Sequence, residues 1–153
     1  MKKILTIVAS CLITNYSIAQ SFQKTFGGAS DDRSRSVRQT YDGGYIITGS
    51  TESFGAGGAD VYLIKTGANG DSIWTKTFGG AAEDIGRSVQ QTPDSGYIIT
   101  GSTKSFGAGG SDVYLIKTDA RGDTLWTKTY GGTGNDWGYS VSLLAGAEKG
   151  YVI

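Results

Sequence analysis

Short apolar runs, separated by polar and glycine-rich turns, recur along this chain. Tyr45-Ile46-Ile47 and Val61-Tyr62-Leu63-Ile64 are continuous apolar runs, whereas a strand with one wet face would alternate. Their length and their flanking turn residues predict short β-strands that are covered on both faces. No helix-period segment of useful length lies between the runs, so the cover must be another sheet. The pattern therefore predicts an all-β fold of packed sheets.

The same pattern repeats with a fixed period. Thr25-Phe26-Gly27-Gly28 returns as Thr77-Phe78-Gly79-Gly80 and again as Thr129-Tyr130-Gly131-Gly132, so successive copies begin 52 positions apart. Residues 25–76 match residues 77–128 without a gap at about three quarters of the positions. The chain is therefore an array of one supersecondary unit.

Each unit contains four strand-like segments. In the second copy these are residues 86–92, 96–103, 112–118 and 124–130, the last corresponding to residues 72–78 of the first copy. Between the first two segments, Pro93 fixes φ at one corner of a hairpin turn and Gly96 is predicted to take a positive φ. Residues 67–71 and 119–123 form the matching turns between the third and fourth segments.

A four-stranded antiparallel unit buried on both faces by its own copies is typical of a β-propeller blade. We therefore predict a partial β-propeller over residues 20–153, present as an incomplete ring in a fragment of a longer protein. An open β-solenoid, which needs no closure, is the alternative. The predicted parts are an orphan fourth strand at 20–28, blade 1 at 29–80, blade 2 at 81–132 and a truncated blade 3 at 133–153.

The first nineteen residues have the pattern of a signal peptide. Lys2 and Lys3 precede an apolar stretch at 4–13, and Ser17-Ile18-Ala19 places small residues before a cleavage point. The apolar stretch is too short to span a bilayer. Cys11 suggests a lipoprotein box as an alternative, but it lies inside the apolar stretch. The mature protein is expected to be exported, to the cell surface or the medium, with the periplasm as a further location.

Composition removes two classes of function. The chain has 14 basic and 14 acidic residues and no histidine, so it has no net field to attract nucleic acid and lacks the commonest general base. Glycine-rich Gly55-Ala56-Gly57-Gly58 is followed by no Lys-Ser/Thr pair, which argues against a phosphate cradle. We predict neither a nucleic-acid partner nor a bound cofactor.

The repeats also resemble a known group of proteins. Residues 44–51 (GYIITGST), 60–66 (DVYLIKT) and 74–80 (WTKTFGG) are similar to the propeller-type repeats of secreted and surface proteins in Bacteroidetes and some archaea. The resemblance covers residues 22–153. It implies a propeller fold and export, and it implies little about chemistry because most members of that group have no assigned activity.

Residues that recur in every copy are interpreted as scaffold. A carboxylate in such a loop most often accepts backbone N–H bonds in a turn, and a repeated tryptophan is usually a core residue between blades. A calcium site built from these carboxylates and loop carbonyls is the alternative, although the spacing is not that of a dedicated calcium loop. The repeated positions are Asp32, Asp84, Asp136, Asp60, Asp112, Trp74 and Trp126.

One register varies between the copies. The residue after the repeated aspartate is Arg33, Ile85 and Trp137 in turn, which marks a face where packing does not dictate the side chain. We predict that these residues, with Tyr139, form a ligand-facing loop that supplies stacking and hydrogen bonds to a glycan or peptide. A tolerant solvent loop is the alternative.

Two functional hypotheses follow. The first is an exported, non-catalytic repeat scaffold or binding module for surface glycans or proteins. The second is the propeller part of a secreted carbohydrate-active hydrolase or lyase whose active site lies outside this chain. A catalytic carboxylate pair should break the repeat pattern once, and no such irregular pair exists in the sequence. The sequence therefore favours the non-enzymatic hypothesis.

Overall fold

The computed structural model describes residues 22–144 and 150–153. Within these residues the fold is all-β, and no helix is assigned. The strands are β1 Asp32–Gln39, β2 Tyr45–Thr51, β3 Asp60–Thr66, β4 Ser72–Phe78, β5 Asp84–Gln91, β6 Tyr97–Thr103, β7 Asp112–Thr118, β8 Thr124–Tyr130, β9 Ser142–Leu143 and β10 Tyr151–Val152. The predicted signal peptide at 1–19 lies outside the described residues.

The strands form two equivalent sheets and a short ribbon. β1 to β4 make one four-stranded antiparallel sheet in sequence order, β5 to β8 make the second, and β9 pairs with β10. The registers match: Ile47 pairs with Ile64 in the first sheet, and Ile99 pairs with Ile116 in the second. Each repeat therefore builds one meander of four strands.

The predicted third and fourth strands have the observed bounds, whereas the first begins two residues earlier than expected. β5 starts at Asp84 because Asp84 pairs with Thr103 and Ile85 pairs with Ser102. Gly86, the predicted start, lies instead next to a bulge, where the register shifts between Gly86 and Ser88. A bulge interrupts the alternation that marks a strand in the sequence.

The core lies between the two sheets, and the prediction of double coverage is confirmed for β3 and β6, whereas Tyr45 and Ile47 of β2 are only half-buried. Every residue of β3 and of β6 is buried. One cluster joins side chains of both sheets, with Trp74 and Phe78 packed against it: Ile46, Val61, Leu63, Val89, Tyr97, Ile99, Tyr114 and Ile116. Each sheet thus buries an apolar face against its neighbour, as sheet-on-sheet packing requires.

The sheets come into close contact at the first strand of the unit. A Cβ on Gly86 would lie 2.3 Å from Thr48 Oγ1 and 2.9 Å from Val61 Cγ1 of the first sheet. Gly138, one repeat later, donates its N–H to the carbonyl of Gly101 over 3.0 Å. The third copy therefore covers the second sheet as the second covers the first, and Val141 is buried in that contact.

The hairpin turn between β5 and β6 differs from the prediction in one residue. Ser95, not Gly96, has the positive φ, at 64°. In the first repeat the same position is Gly43, with φ of 79°. Gly96 is required for space instead, because a Cβ there would lie 2.1 Å from the carbonyl oxygen of Thr118 and 2.7 Å from Lys117 Nζ.

That space is occupied by a buried lysine in each of the first two repeats. The side chain of Lys117 is 4% exposed, lies 2.9 Å from Asp94 Oδ2 and donates to the carbonyl of Thr118. Lys65 makes the same contacts with Asp42 and the carbonyl of Thr66. The ammonium groups tie the first turn of each sheet to the end of its third strand, so the buried charge has a partner.

The segment 22–28 forms no strand pairing, yet its contacts copy those of β4. Phe22 lies 5.7 Å from the ring of Tyr45, as Trp74 lies 5.8 Å from the ring of Tyr97. Lys24 contacts Asp71 over 2.7 Å, and the equivalent Lys76 contacts Asp123 over 2.7 Å. The segment therefore occupies, beside the first sheet, the place that β4 occupies beside the second.

Candidate functional site

The variable register lies on strands rather than in a loop. Arg33 is the second residue of β1 and pairs with Ser50, and Ile85 is the second residue of β5 and pairs with Ser102. The expected loop is wrong for these two residues because the strand extends to the repeated aspartate before them. Trp137 stands at the equivalent position of the third copy and Tyr139 follows two residues later; both precede β9 and belong to no assigned strand.

Three of the four predicted ligand-facing residues come together. Ile85, Trp137 and Tyr139 line one pocket of about 300 Å³ between the second and third copies. The rest of its lining comes from the same end of the second sheet and from the start of the third copy: Glu83, Arg87, Ser102, Lys104, Ser111 and Asn135. Residues that vary between copies are thus gathered around a single concave surface, which we call the rim pocket.

Arg87 joins the aromatic side of the rim pocket. Its guanidinium carbon lies 4.9 Å from the ring centre of Tyr139, within the range of a cation–π contact. Arg87 Nε is buried and has no hydrogen-bond partner among the described residues. Trp137 and Tyr139 remain 46% and 66% exposed, so both rings can still receive a ligand.

The polar side of the rim pocket is already organised. Lys104 Nζ donates to Glu83 Oε2 over 2.6 Å, and the backbone N–H of Ser111 donates to Asn135 Oδ1 over 2.9 Å. These bonds occupy one carboxylate oxygen and the amide oxygen, and they leave the Asn135 amide NH₂ free to donate. The available groups are therefore mainly donors.

Sequence reasoning missed Arg87 and Lys104. Arg87 repeats as Arg35 in the first copy, so it looked like scaffold, although its register gives Tyr139 in the third copy. Glu52 replaces Lys104 in the first repeat. Side chains two residues apart in a strand lie on the same face. Comparing the copies two residues after Arg33, Ile85 and Trp137 would therefore have identified Arg35, Arg87 and Tyr139.

Arg33, the fourth predicted residue, lines a different pocket from the other three. It lines a separate groove of about 670 Å³ that runs between the segment 22–28 and the face of the first sheet. Its guanidinium bonds to Asp31 over 2.5 Å. Arg33 therefore does not share the rim pocket with Ile85, Trp137 and Tyr139.

The repeated aspartates of the first strand bond to turn backbone. Asp84 Oδ2 accepts the N–H of Gly80 over 2.9 Å and the hydroxyl of Ser105 over 2.6 Å. Asp32 makes the same two kinds of contact, with Gly28 and Ser53, and Asp136 accepts the N–H of Gly132. These bonds fix the loop that leads from one repeat into the next.

Asp60 and Asp112 face the first-strand aspartates of the following copy. Their Oδ2 atoms accept the N–H groups of Ala56 and Ala108. A Cβ on Gly79 would lie 1.8 Å from Asp60 Oδ1 and 2.6 Å from Asp84 Oδ2, so the two carboxylates are close neighbours. Burial, with the nearby Asp84 charge as a smaller cause, raises the pKa of Asp60.

These pairs supply few of the oxygen donors that calcium needs. Over residues 22–144 and 150–153, no group of three or more His, Cys, Asp or Glu side chains is arranged to hold a metal ion. Oxygen-ligated calcium needs six to eight donors, and each interface offers two carboxylates. Calcium therefore stays an untested alternative with little geometric support.

The repeated tryptophans lie between successive copies. Trp74 of β4 packs edge-on against Tyr97 of β6, and Trp126 of β8 lies 6.2 Å from the ring of Tyr151. Each ring thus bridges the fourth strand of one copy and the second strand of the next. Neither tryptophan lines the rim pocket.

Comparison with known proteins gives no family assignment. No protein-family model matches the chain, and no curated protein matches it significantly. In the part of the chain that the structure describes, no helix has the length and apolarity needed to cross a membrane.

Proposed function

We propose that this chain is part of an exported β-propeller whose blades form a non-catalytic binding module for surface glycans or proteins. The observation that carries the binding function is the rim pocket, because three of the four residues predicted from the sequence to face a ligand line it together. Concave sites with exposed aromatic rings and a few convergent polar groups are the usual form of ligand sites.

The propeller arrangement is supported by the repeated interface. The second sheet packs on the first, and the third copy packs on the second, through the same strand and the same glycine position. Beside the first sheet, the segment 22–28 reproduces the β4 contacts. In a closed ring this segment would be the fourth strand of a last blade, whose other strands would fill the groove of about 670 Å³.

The pocket composition supports binding rather than catalysis. Its one carboxylate, Glu83, forms an ion pair with Lys104, whereas glycoside hydrolysis by the common route needs two carboxylates flanking the scissile bond. No observation on the described residues favours a hydrolase or lyase, so the proposal is limited to a binding module.

A direct test is ligand screening with the full chain. We expect glycan-array or protein-array binding that is lost in Trp137→Ala and Tyr139→Ala and retained in Tyr41→Ala. Tyr41 is a matched control because it is also exposed but lies in the turn between β1 and β2. Equal binding by all three variants would place the ligand elsewhere, and turnover of a polysaccharide by the same protein would overturn the non-catalytic role.

A further inference from the structure

We propose that the rim pocket recognises the carboxylate of an acidic polysaccharide, with Arg87 as the residue that selects it. This inference rests on the proposed binding function and names the chemical class of its ligand. It is carried by three observations: the excess of free donors, the unpartnered Arg87 Nε and the two exposed rings.

The first observation is the balance of donors and acceptors. Arg87 and Lys104 bring two cations to the pocket, whereas Glu83 is the only anion and already accepts from Lys104. The amide oxygen of Asn135 is also occupied, by the backbone of Ser111. A neutral sugar offers hydroxyl donors as well as acceptors, whereas an ionised carboxylate offers only acceptors. The site therefore complements an anion.

The second observation concerns Arg87. Its Nε is buried without a partner among the described residues, and an unpaired buried donor costs free energy until it finds an acceptor. A planar guanidinium matches a carboxylate with two parallel hydrogen bonds. Tyr139 lies over the guanidinium at 4.9 Å, which restrains the arginine and prepares the remaining donors for such a bond.

The third observation distinguishes a sugar acid from other anions. Trp137 and Tyr139 border the pocket and stay about half exposed or more, so an apolar ring face lies beside the donors. The C–H face of a pyranose ring can stack on such an aromatic surface while its carboxylate reaches Arg87. Because the chain has equal numbers of basic and acidic residues, it lacks the general positive field that nucleic acid requires.

The experiment compares two ligands that differ at one carbon. Isothermal titration calorimetry of the full chain with oligogalacturonate and with the neutral galactose oligomer measures the contribution of the carboxylate. We expect oligogalacturonate to bind more tightly by roughly tenfold or more, as a charge-assisted hydrogen bond implies. Arg87→Gln should remove that preference, while Arg121→Gln, which deletes an exposed arginine of the turn before β8, should keep it.

The variant Arg87→Lys tests whether a loss of binding in Arg87→Gln reflects misfolding, because lysine keeps the positive charge but lacks the planar guanidinium. We expect it to fold with an unchanged circular dichroism spectrum and to keep only part of the preference for the acid.

Each contrary result has its own meaning. Equal affinity for both oligomers, or an Arg87→Gln effect no larger than that of Arg121→Gln, overturns the acidic ligand and leaves the binding module intact. Absence of binding to any glycan or protein probe overturns the proposed function itself. Displacement of oligogalacturonate by single-stranded DNA at equal concentration would show a general anion site and would also overturn the inference.

Discussion

At the scale of single residues, the hairpin turns at 40–44 and 92–96 have the same backbone conformation but different side chains at the position of positive φ. Ser95 has φ of 64° where Gly43 of the first repeat has 79°. The left-handed region costs a non-glycine residue about 1–2 kcal/mol. A glycine avoids that cost but loses about 0.5–1 kcal/mol, because its unfolded chain has more conformational entropy. Ser95 is therefore a strained position that the first repeat avoids.

We predict that Ser95→Gly raises the free energy of unfolding by up to about 1 kcal/mol. Chemical denaturation monitored by circular dichroism would measure the change. Gly43→Ala is the reciprocal variant and should lose about 1 kcal/mol through the backbone alone, because a Cβ on Gly43 meets nothing within 4 Å. A gain in stability from Ser95→Ala, which keeps the strained φ, would contradict this explanation.

The turn aspartates make stability depend on pH at the acidic end. The hydroxyl of Thr40, followed by the ammonium of Lys65, lowers the pKa of Asp42 to about 2, and Thr92 and Lys117 act in the same way on Asp94 while burial opposes them. Both folded values lie below the ordinary 3.8. The stabilisation is therefore complete above about pH 4 and is lost as the pH falls toward 2.

We predict that the thermal unfolding midpoint falls between pH 4 and pH 2, and that it falls less in the Asp42→Asn, Asp94→Asn double variant. The double variant should be less stable at neutral pH, because Lys65 and Lys117 lose their anionic partners. Differential scanning calorimetry across this range would measure both effects. The two carboxylates are more than half exposed, so solvent screening keeps each contribution small. An identical pH dependence in the double variant would refute the assignment.

At the scale of elements, contact between sheets depends on a glycine in the first strand. Gly86 and Gly138 each let the strand approach the preceding sheet, whereas Ser34 stands at this register in the first copy. Within the described residues, no preceding sheet faces Ser34. The first copy therefore has a serine at the position where its first strand packs against no preceding sheet in the described part of the chain.

We predict that Gly86→Ala lowers the free energy of unfolding by about 1–3 kcal/mol, because the new methyl group overpacks the contact with Thr48 and Val61. Gly132→Ala is the control, since nothing lies within 4 Å of a Cβ there, and it should change stability by less than about 0.5 kcal/mol. Urea denaturation of both variants would measure the difference. Equal effects would contradict a packing clash between the sheets at Gly86.

Sequence patterns located the elements well where turn residues mark both ends. The bounds of β7 follow from the glycine-rich loop before Asp112 and from the turn at 119–123. The start of β5 is predicted two residues too late, because the bulge between Gly86 and Ser88 interrupts the alternation of apolar and polar residues. Arg87 was missed for another reason: its role depends on Trp137 and Tyr139, which are distant in the sequence and adjacent only after the copies have packed.

At the scale of the whole molecule, equivalent residues have different surroundings at the two sheets. Val37 is 57% exposed, whereas Val89, its counterpart in the second repeat, is 0% exposed. The face of the first sheet beside the segment 22–28 thus presents to solvent the same side chains that the second sheet buries. Exposed apolar faces of this kind favour association.

We predict that the chain self-associates through this face and that Val37→Asp raises the dissociation constant roughly tenfold, as expected for losing one buried valine contact. Sedimentation velocity over a range of concentrations would measure it. Tyr41→Ala removes an exposed ring from the turn beyond β1 and serves as the control. Unchanged association in Val37→Asp would exclude this face as the contact.

The sequence by itself determined the repeat length, the four strands of each complete unit, the all-β class and the burial of the inner strands β3 and β6. These are local properties: hydrophobic period, turn residues and their recurrence depend on neighbours along the chain. Tertiary structure alone decided that Arg33 and Ile85 line different pockets and that Arg87 meets Tyr139. These depend on how one copy sits against the next, which is fixed by packing between residues about one period apart.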